Sequence, residues 1–135
     1  MAEWTPVNGE FLVDTNALIK LIARDPTLRW RMGHDFSCFI SIITVGELCA
    51  GAHQSKRAAF NLAEARRISS EIPVYGFDFE TADEYGRIHA LLRAKGKPIP
   101  HNDVWIAATA IRNGLTLITL DKHFSWIDGL TIEIW

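Results

Sequence analysis

The stretch FLVDTNALIKLI, residues 11–22, decides the fold of this chain. Its first three residues are apolar and predict a short buried strand, and apolar residues then recur at helical spacing. A helix that Asn16 caps is therefore predicted directly after the strand. Asp14 stands at the junction of two segments that both require burial, which is an unusual place for a carboxylate.

The same order of strand and helix recurs to the end of the chain. Four more strands are predicted, at 37–41, 72–77, 115–121 and 130–135. After a break at 24–26, five more helices are predicted, at 27–33, 43–53, 55–71, 80–96 and 102–114. Strands that alternate with helices indicate an α/β fold, with a parallel sheet covered by helices on both faces.

Composition limits the class of protein. The chain has 135 residues, 48% of them hydrophobic, which favours one globular domain and excludes a disordered chain. Its formal charge of −2 excludes nucleic-acid binding through a massive positive field. The N-terminus lacks the pattern of a signal peptide, and no stretch suits a membrane span, so we expect a cytoplasmic protein. Cys38 and Cys49 are expected to be reduced core residues.

Four acidic residues lie at or near the ends of strands and the starts of helices: Asp14, Glu47, Asp103 and Asp121. Each has an ordinary structural explanation when taken alone. Asp14 and Asp121 suit turns. Asp103, or Asn102 beside it, suits a helix cap that contributes about 1 kcal/mol. Glu47 points away from the apolar face of its helix and suits a solvated position.

Taken together, the four acids are harder to explain as structural residues. In a parallel sheet, sites lie at the carboxyl ends of the strands, so we expect these side chains at one edge. Two carboxylates at 4 Å repel by about 4 kcal/mol at an effective dielectric constant of 20, and a domain is stable by only ~5–15 kcal/mol. Either some of the acids are protonated, or a multivalent cation neutralises them. Oxygen donors alone suit Mg²⁺ or Mn²⁺, which indicates phosphodiester or phosphoryl chemistry.

Four blocks of sequence carry a resemblance to a known family: LVDTN at 12–16, TVGEL at 44–48, IPHNDVWIAATA at 99–110 and LTLITLDKHF at 115–124. In this order and spacing they closely resemble the PIN domain of VapC-type toxins, the ribonuclease half of bacterial and archaeal toxin–antitoxin pairs. The resemblance implies a three-layer α/β fold with a central parallel five-stranded sheet flanked by helices. It also implies a single PIN domain at 11–135. Residues 1–10 depart from the family, which usually begins its first strand almost at once, and are interpreted as an N-terminal extension.

The same resemblance implies an activity and a set of partners. Members of the family are endoribonucleases that hydrolyse phosphodiester bonds in single-stranded regions of tRNA, rRNA or mRNA. They use one or two Mg²⁺ or Mn²⁺ ions. The partners implied are a VapB-type antitoxin, whose tail lies over the acidic pocket, the RNA substrate and a second copy of the toxin in a homodimer.

Positions in the family's motifs assign roles to residues of this chain. The catalytic acids would be Asp14, Glu47, Asp103 and Asp121. Asp14 and Asp103 look like the direct metal ligands, and the other two would act partly through water. Three polar residues match positions that support these acids: Thr15, Asn16 and Thr119.

Other residues are weaker candidates for substrate contacts. His101, Lys95 and Lys97 surround the loop before Asp103 and are candidate RNA contacts, although a solvated helix end explains them equally well. His123 follows Asp121 and is a similar candidate. Three tryptophans are expected in the core or a dimer interface rather than in base stacking: Trp30, Trp105 and Trp126.

Three alternative functions were weighed against a nuclease. A haloacid-dehalogenase-like phosphotransferase needs a second aspartate two residues after the first, where Asn16 stands. A receiver domain needs a phosphoacceptor at the end of the third strand, and Asp78 fits that place only loosely. A catalytically silent PIN fold that serves as a binding or scaffold module has no feature in its favour, since all four acids are present.

Overall fold

Five parallel strands form the centre of the molecule. The computed structural model describes residues 9–25 and 37–134. The strands are short, and their bounds are Phe11–Val13 (β1), Cys38–Ser41 (β2), Val74–Tyr75 (β3), Thr116–Thr119 (β4) and Ile132–Ile134 (β5). The α/β class and the five-stranded parallel sheet predicted from the sequence are confirmed.

Five α-helices connect or flank these strands in the described part of the chain. Their bounds are Thr15–Arg24 (α1), Ile42–His53 (α2), Ala58–Glu71 (α3), Phe79–Lys95 (α4) and His101–Arg112 (α5). A 3₁₀ turn at Lys122–Trp126 follows β4. None of the helices in these ranges is long and apolar enough to cross a membrane.

The order of the strands places β1 in the middle of the sheet. The order is β3-β2-β1-β4-β5, so the chain first runs outward from β1 on one side and then returns to add β4 on the other. Leu12 is paired with Phe39 of β2 and with Leu117 of β4. The order of strands reverses between β1 and β4, which is where open α/β sheets bind ligands. Asp14 follows β1 directly, and Asp121 follows β4 after one residue, Leu120.

Alternating side chains of β1 divide the core in two. Phe11 and Val13 pack on the face covered by α1 and α3, with Leu18 and Ile68 as neighbours in the same cluster. Leu12 packs on the opposite face, in a cluster that α4 and α5 complete. Because both faces are buried, β1 is apolar throughout rather than alternating in polarity. The result is three layers, with the sheet in the middle.

Two predicted helix starts were wrong. Asn16 does not cap the first helix, because the helix already begins at Thr15 and Asp14 is its N-cap. A side chain that follows the last strand residue directly reaches the free N–H groups of the first turn, which explains the shift. The helix predicted at 55–71 begins at Ala58, because residues 54–57 form a turn.

The other helix ends agree with the sequence. Helix α1 ends at Arg24, and α4 ends where Gly96 takes a left-handed conformation with φ of 67°, a conformation that glycine adopts without strain. Both cysteines are free, Cys38 buried and Cys49 half-buried. The helix predicted at 27–33, Trp30 and most of the predicted extension at 1–10 lie outside the described residues, and the predicted boundary at residue 11 stays a prediction.

Candidate active site at the carboxyl edge of the sheet

Asp14 joins three elements of the fold through one carboxylate. One oxygen, Oδ1, accepts a hydrogen bond from the backbone N–H of Ala17 at 2.9 Å, which caps α1. The other, Oδ2, accepts from the hydroxyl of Thr119 in β4 at 2.5 Å. The residue is only 6% exposed. Burial raises the pKa of Asp14, the two hydrogen bonds partly offset that rise, and the charges of Asp121 and Glu47 add to it.

Thr119 connects Asp14 to a second acid. Its hydroxyl donates to Asp14 and accepts from the backbone N–H of Asp121 at 3.0 Å. Asp121 then caps the 3₁₀ turn by accepting from the backbone N–H of His123 at 2.9 Å. The turn expected from the sequence at Asp121 is therefore present, and it orients a carboxylate that also belongs to the acidic edge.

Glu47 is held by the hydroxyl group of Thr15, which is supported in turn by Thr44. The hydroxyl of Thr15, the first residue of α1, donates to Oε1 of Glu47 at 2.6 Å. The same hydroxyl lies 3.1 Å from that of Thr44, and because Thr15 has a single proton to donate, Thr44 is the donor in that pair. Glu47 is therefore tied to the end of β1 and is not a freely solvated residue of its helix.

Asp103 lies in the first turn of α5 and is only partly buried. Neither Asp103 nor Asn102 caps this helix, because its N-cap position is Pro100. The pKa of Asp103 is raised to about 6, first by desolvation on burial and then by the negative charges of its three acidic neighbours, Glu47, Asp14 and Asp121. A protonated His123 lowers it slightly.

The four acids therefore form one electrostatic cluster, as the sequence predicted. All three of the other acids raise the pKa of Asp103, and two of them raise that of Asp14, so each negative charge makes the others less favourable. In residues 9–25 and 37–134, no three His, Cys, Asp or Glu side chains are arranged to hold a metal ion by themselves. The donor set still fits Mg²⁺ or Mn²⁺, because these ions prefer oxygen ligands and Mg²⁺ usually keeps several of its waters.

The remaining predicted residues lie in different surroundings. Thr15 and Thr119 contact acids directly, whereas the side chain of Asn16 is exposed at the start of α1. Lys95 donates to the carboxylate of Asp128 at 2.9 Å and to the carbonyl oxygen of Trp126 at 3.1 Å. The ammonium of Lys97 lies 5.2 Å from the centre of the Trp126 ring. Both lysines are thus directed towards the loop after β4.

The sequence did not predict a role at the site for one residue near the acids, Thr44, and indicated another, His123, only weakly. Thr44 is fully buried and supports Glu47 through Thr15. Its position three residues before Glu47, on the same side of one helix, was the signal for it. His123 was a weak candidate, and its Nδ1 lies 2.9 Å from Oδ1 of Asp121, so it contacts the acidic cluster directly.

The chain is similar to known proteins over most of its length. A family model described as the PIN domain matches residues 11–130 of the chain. The tRNA(fMet)-specific endonuclease VapC of Salmonella typhimurium (strain LT2) is 35% identical over 130 residues, which cover 93% of this chain and 98% of that protein. Ribonuclease VapC2 of Haemophilus influenzae (strain Rd) is 32% identical, with the same coverage of both chains.

A solved structure extends the similarity to three dimensions. The crystal structure of VapBC2 from Rickettsia felis, bound to a DNA fragment from their promoter, contains a chain that matches this one with a TM-score of 0.83. The two are 27% identical, and the match covers 94% of this chain and 99% of that one. The similarity therefore includes all three layers of the fold and the edge that carries the acids.

Proposed function

This chain belongs to the PIN-domain family and is a ribonuclease of the VapC type, and we propose that it cuts RNA with a Mg²⁺ or Mn²⁺ site built on its acidic edge. The observation that carries the proposal is the convergence of acids at one edge, where Thr119 contacts both Asp14 and Asp121 and Thr15 donates to Glu47. Burial, and then the charges of these three acids, raise the pKa of Asp103 to about 6. A site that disfavours its own negative charges without a cation gains stability when a cation binds. The proposed site would hold one or two Mg²⁺ or Mn²⁺ ions.

In the proposed site, Asp14 and Asp103 would hold the ion directly, and Glu47 and Asp121 would act partly through its waters. When bound, the ion supplies a water of lowered pKa and neutralises charge on the scissile phosphate. Hydrolysis forms a bond from the water oxygen to phosphorus and breaks one P–O ester bond, whose oxygen leaves with a proton. Two threonines of this chain orient the carboxylates: Thr119 donates a hydrogen bond to Asp14, and Thr15 donates one to Glu47.

The test is cleavage of RNA by the purified protein with Mn²⁺ and with EDTA. Asp103→Asn removes one charge without changing the shape of the side chain, and Asp83→Asn removes the same charge from an exposed position on α4. We expect EDTA and Asp103→Asn to abolish cleavage and Asp83→Asn to retain it. Cleavage by Asp103→Asn at the wild-type rate, or cleavage that is insensitive to EDTA, contradicts the proposal.

The substrate and the partner follow from the relatives. tRNA(fMet) is the first RNA to test, because the Salmonella relative is specific for it. We assign a VapB-type antitoxin as the partner, since the Rickettsia felis structure is a VapBC complex, and a homodimer as the form of the toxin in the complex. We place the protein in the cytoplasm, where its RNA substrates are found. Expression of the chain alone should arrest growth, and co-expression with the antitoxin should restore it.

Normal growth together with abundant folded protein would support the catalytically silent scaffold instead. Whether or not growth stops, the amount of intact tRNA(fMet) is measured in the same cells. Loss of the tRNA supports the nuclease, and its persistence during growth arrest indicates that another RNA is the target.

A further inference from the structure

A cavity of about 350 Å³ lies where helices α4 and α5 are joined by the loop at 96–100. Its apolar lining comes from Leu92, Ile99 and Val104, and its polar lining includes His89, Arg93 and His101. Small-molecule sites in proteins have volumes of roughly 300–1,000 Å³ and are mostly apolar with a few polar groups. The cavity has the size and character of a ligand site, and the acidic cluster does not use it.

Three rings cluster beside this cavity, with two of their pairs nearly parallel and the third pair, Tyr85 and His101, tilted by 30°. The ring centres of His89 and His101 are 5.5 Å apart, with an angle of 23° between the planes. Tyr85 lies 5.9 Å from His89 at an angle of 8°, and its hydroxyl is 2.6 Å from Nδ1 of His101. Trp105 stacks on Tyr85 at 4.1 Å. The rings therefore form a packed aromatic cluster, on which an unpaired nucleobase can stack.

The contact between the Tyr85 hydroxyl and Nδ1 of His101 also orients the imidazole ring. When the tyrosine hydroxyl donates to Nδ1, the proton of the neutral imidazole is on Nε2. Nε2 is then a hydrogen-bond donor. Base edges offer ring nitrogens and carbonyl oxygens as acceptors. The ring that forms part of the surface thus also supplies a polar contact.

Arg93 provides a cation at the same cavity. It is exposed on α4, and within residues 9–25 and 37–134 its guanidinium makes no ion pair. The neighbouring lysines differ, because Lys95 is paired with Asp128 and Lys97 lies over the ring of Trp126. Of the three cations around this loop, Arg93 is therefore the one that lines the cavity while remaining available to a phosphate group.

The cavity and the acidic cluster are on two sides of one helix start. His101 and Val104 face the cavity, and Asp103, in the same turn of α5, faces the other acids. A helix with its side chains is about 10–12 Å wide, so the two sites are separated by about that distance. A single strand that crosses the start of α5 would therefore reach both sites.

We infer that the cavity between α4 and α5 receives an unpaired nucleobase of the RNA strand, stacked on the rings of His89 and His101, with Arg93 on a phosphate of the same strand. The inference rests on the proposed function, since it names a part of the RNA that the nuclease holds. The site is a base-binding subsite away from the scissile bond, and it favours targets whose bases are already unpaired.

The first experiment follows the imidazole signals of the full-length protein by NMR in EDTA, so that the RNA stays intact. A single-stranded RNA 12-mer should shift the signals of His89 and His101. The signal of His53, at the exposed end of α2, should stay in place. Inorganic phosphate is the control for binding through charge alone. Equal shifts with phosphate, or no shift with the RNA, would overturn the inference.

The second experiment measures the Kd of the same RNA, fluorescently labelled, by anisotropy. His89→Leu removes a ring and should raise Kd about fivefold or more, whereas His89→Phe keeps a ring and should remain within about twofold of the wild type. Arg93→Gln should weaken binding and lower the slope of log K against log salt by about 0.7. The matched control is Arg66→Gln, which removes one charge from α3 on the opposite face of the sheet.

These outcomes separate the inference from the proposed function. If His89→Leu and Arg93→Gln bind RNA as the wild type does, the base-binding subsite is wrong, even though the wild-type protein cuts RNA. If the wild type fails to cut RNA in Mn²⁺, the proposed function is wrong, whatever the histidine signals do. His signals that move with protein concentration, and not with RNA, would assign the cavity to contact between copies of the chain and overturn the inference.

Discussion

Asp14 and Asp103 approach the same acidic cluster from helices α1 and α5, and they are held in opposite ways. Both oxygens of Asp14 accept hydrogen bonds, from Ala17 and Thr119, and the residue is almost fully buried. Asp103 is partly exposed, and no hydrogen bond to its carboxylate is present within the described residues. One acid is built into the framework, and the other is free to respond to a proton or a cation.

The difference shows that two acids in one site can differ in how much they contribute to the stability of the fold. The hydrogen bonds to Asp14 lower its pKa and so offset part of the cost of burial. Asp103 has no such compensation, and burial together with three negative neighbours brings its pKa to about 6. We therefore expect the loss of Asp14 to affect both the fold and the chemistry, and the loss of Asp103 to affect the chemistry alone.

The largest expected effect is on cleavage, where the two acids should be alike. Asp14→Asn and Asp103→Asn each remove one negative charge from the proposed metal site, and each should lower kcat at least about a hundredfold. The measurement is single-turnover cleavage of RNA in Mn²⁺. A variant that keeps more than a tenth of the wild-type rate would show that its acid is dispensable for binding the ion.

The second effect, on stability, should separate them. Asp14→Ala removes a helix cap and leaves the buried hydroxyl of Thr119 without its acceptor, so the free energy of unfolding should fall by about 2–4 kcal/mol. Asp103→Ala removes only an unfavourable charge and should leave the free energy of unfolding unchanged or raise it. Urea unfolding of the metal-free proteins at pH 7.5 measures both. Equal destabilisation by the two variants would mean that the hydrogen bonds of Asp14 contribute nothing.

The third effect is a dependence of stability on pH. The pKa of Asp103 is about 6 in the fold against a usual 3.8, so the folded state binds this proton more tightly than the unfolded state. Ionisation of Asp103 does not lower the free energy of unfolding below pH 3.8. It lowers that free energy progressively as the pH rises from 3.8 to 6, and by the full amount above pH 6. After allowing for solvent at this partly exposed group, the cost is about 1–2 kcal/mol.

Metal-free wild-type protein should therefore be less stable at pH 7.5 than at pH 5. Asp103→Asn should lose most of that difference, and so should the wild type in saturating Mn²⁺. Chemical unfolding at the two pH values checks this. An unchanged difference in the Asp103→Asn variant would assign the pH dependence to other groups.

The smallest effects should come from the hydroxyl groups behind the acids. Thr119→Val removes the hydrogen bond to Asp14 and should weaken Mn²⁺ binding about tenfold. Thr44→Val acts one step further away, through Thr15 and Glu47, and should weaken it only a few-fold. Calorimetric titration with Mn²⁺ measures both. A larger effect of Thr44→Val would show that Glu47, rather than Asp14, dominates binding of the ion.

The sequence predicted the framework well, for physical reasons. Apolar runs followed directly by helical periodicity identify strands and helices of an α/β sheet, and the acids at their ends converge because parallel strands share one carboxyl edge. Motif blocks then predicted the family. Residues far apart in the chain, such as Asp14 and Asp121, were brought together by these two arguments alone.

The sequence predicted the local hydrogen bonding less well. Asn16 and Asp14 are both good helix caps by residue type, and only the point where β1 ends decides between them. Thr44 lies in a helix and looks like any other polar helix residue, because its contact with Thr15 depends on how two helices pack. The directions of Lys95 and Lys97 likewise depend on a loop about thirty residues away.

The Asp14 carboxylate connects β1, α1 and β4 through its hydrogen bonds, so inactive variants at the two acids should differ in what they can still bind. If the chain assembles with an antitoxin as proposed, a change at Asp14 that abolishes cleavage should also weaken the folded surface that the antitoxin contacts. A change at Asp103 should leave that surface folded. In a cell that carries both forms, an inactive Asp103 variant would then bind part of the antitoxin and leave more of the active toxin free.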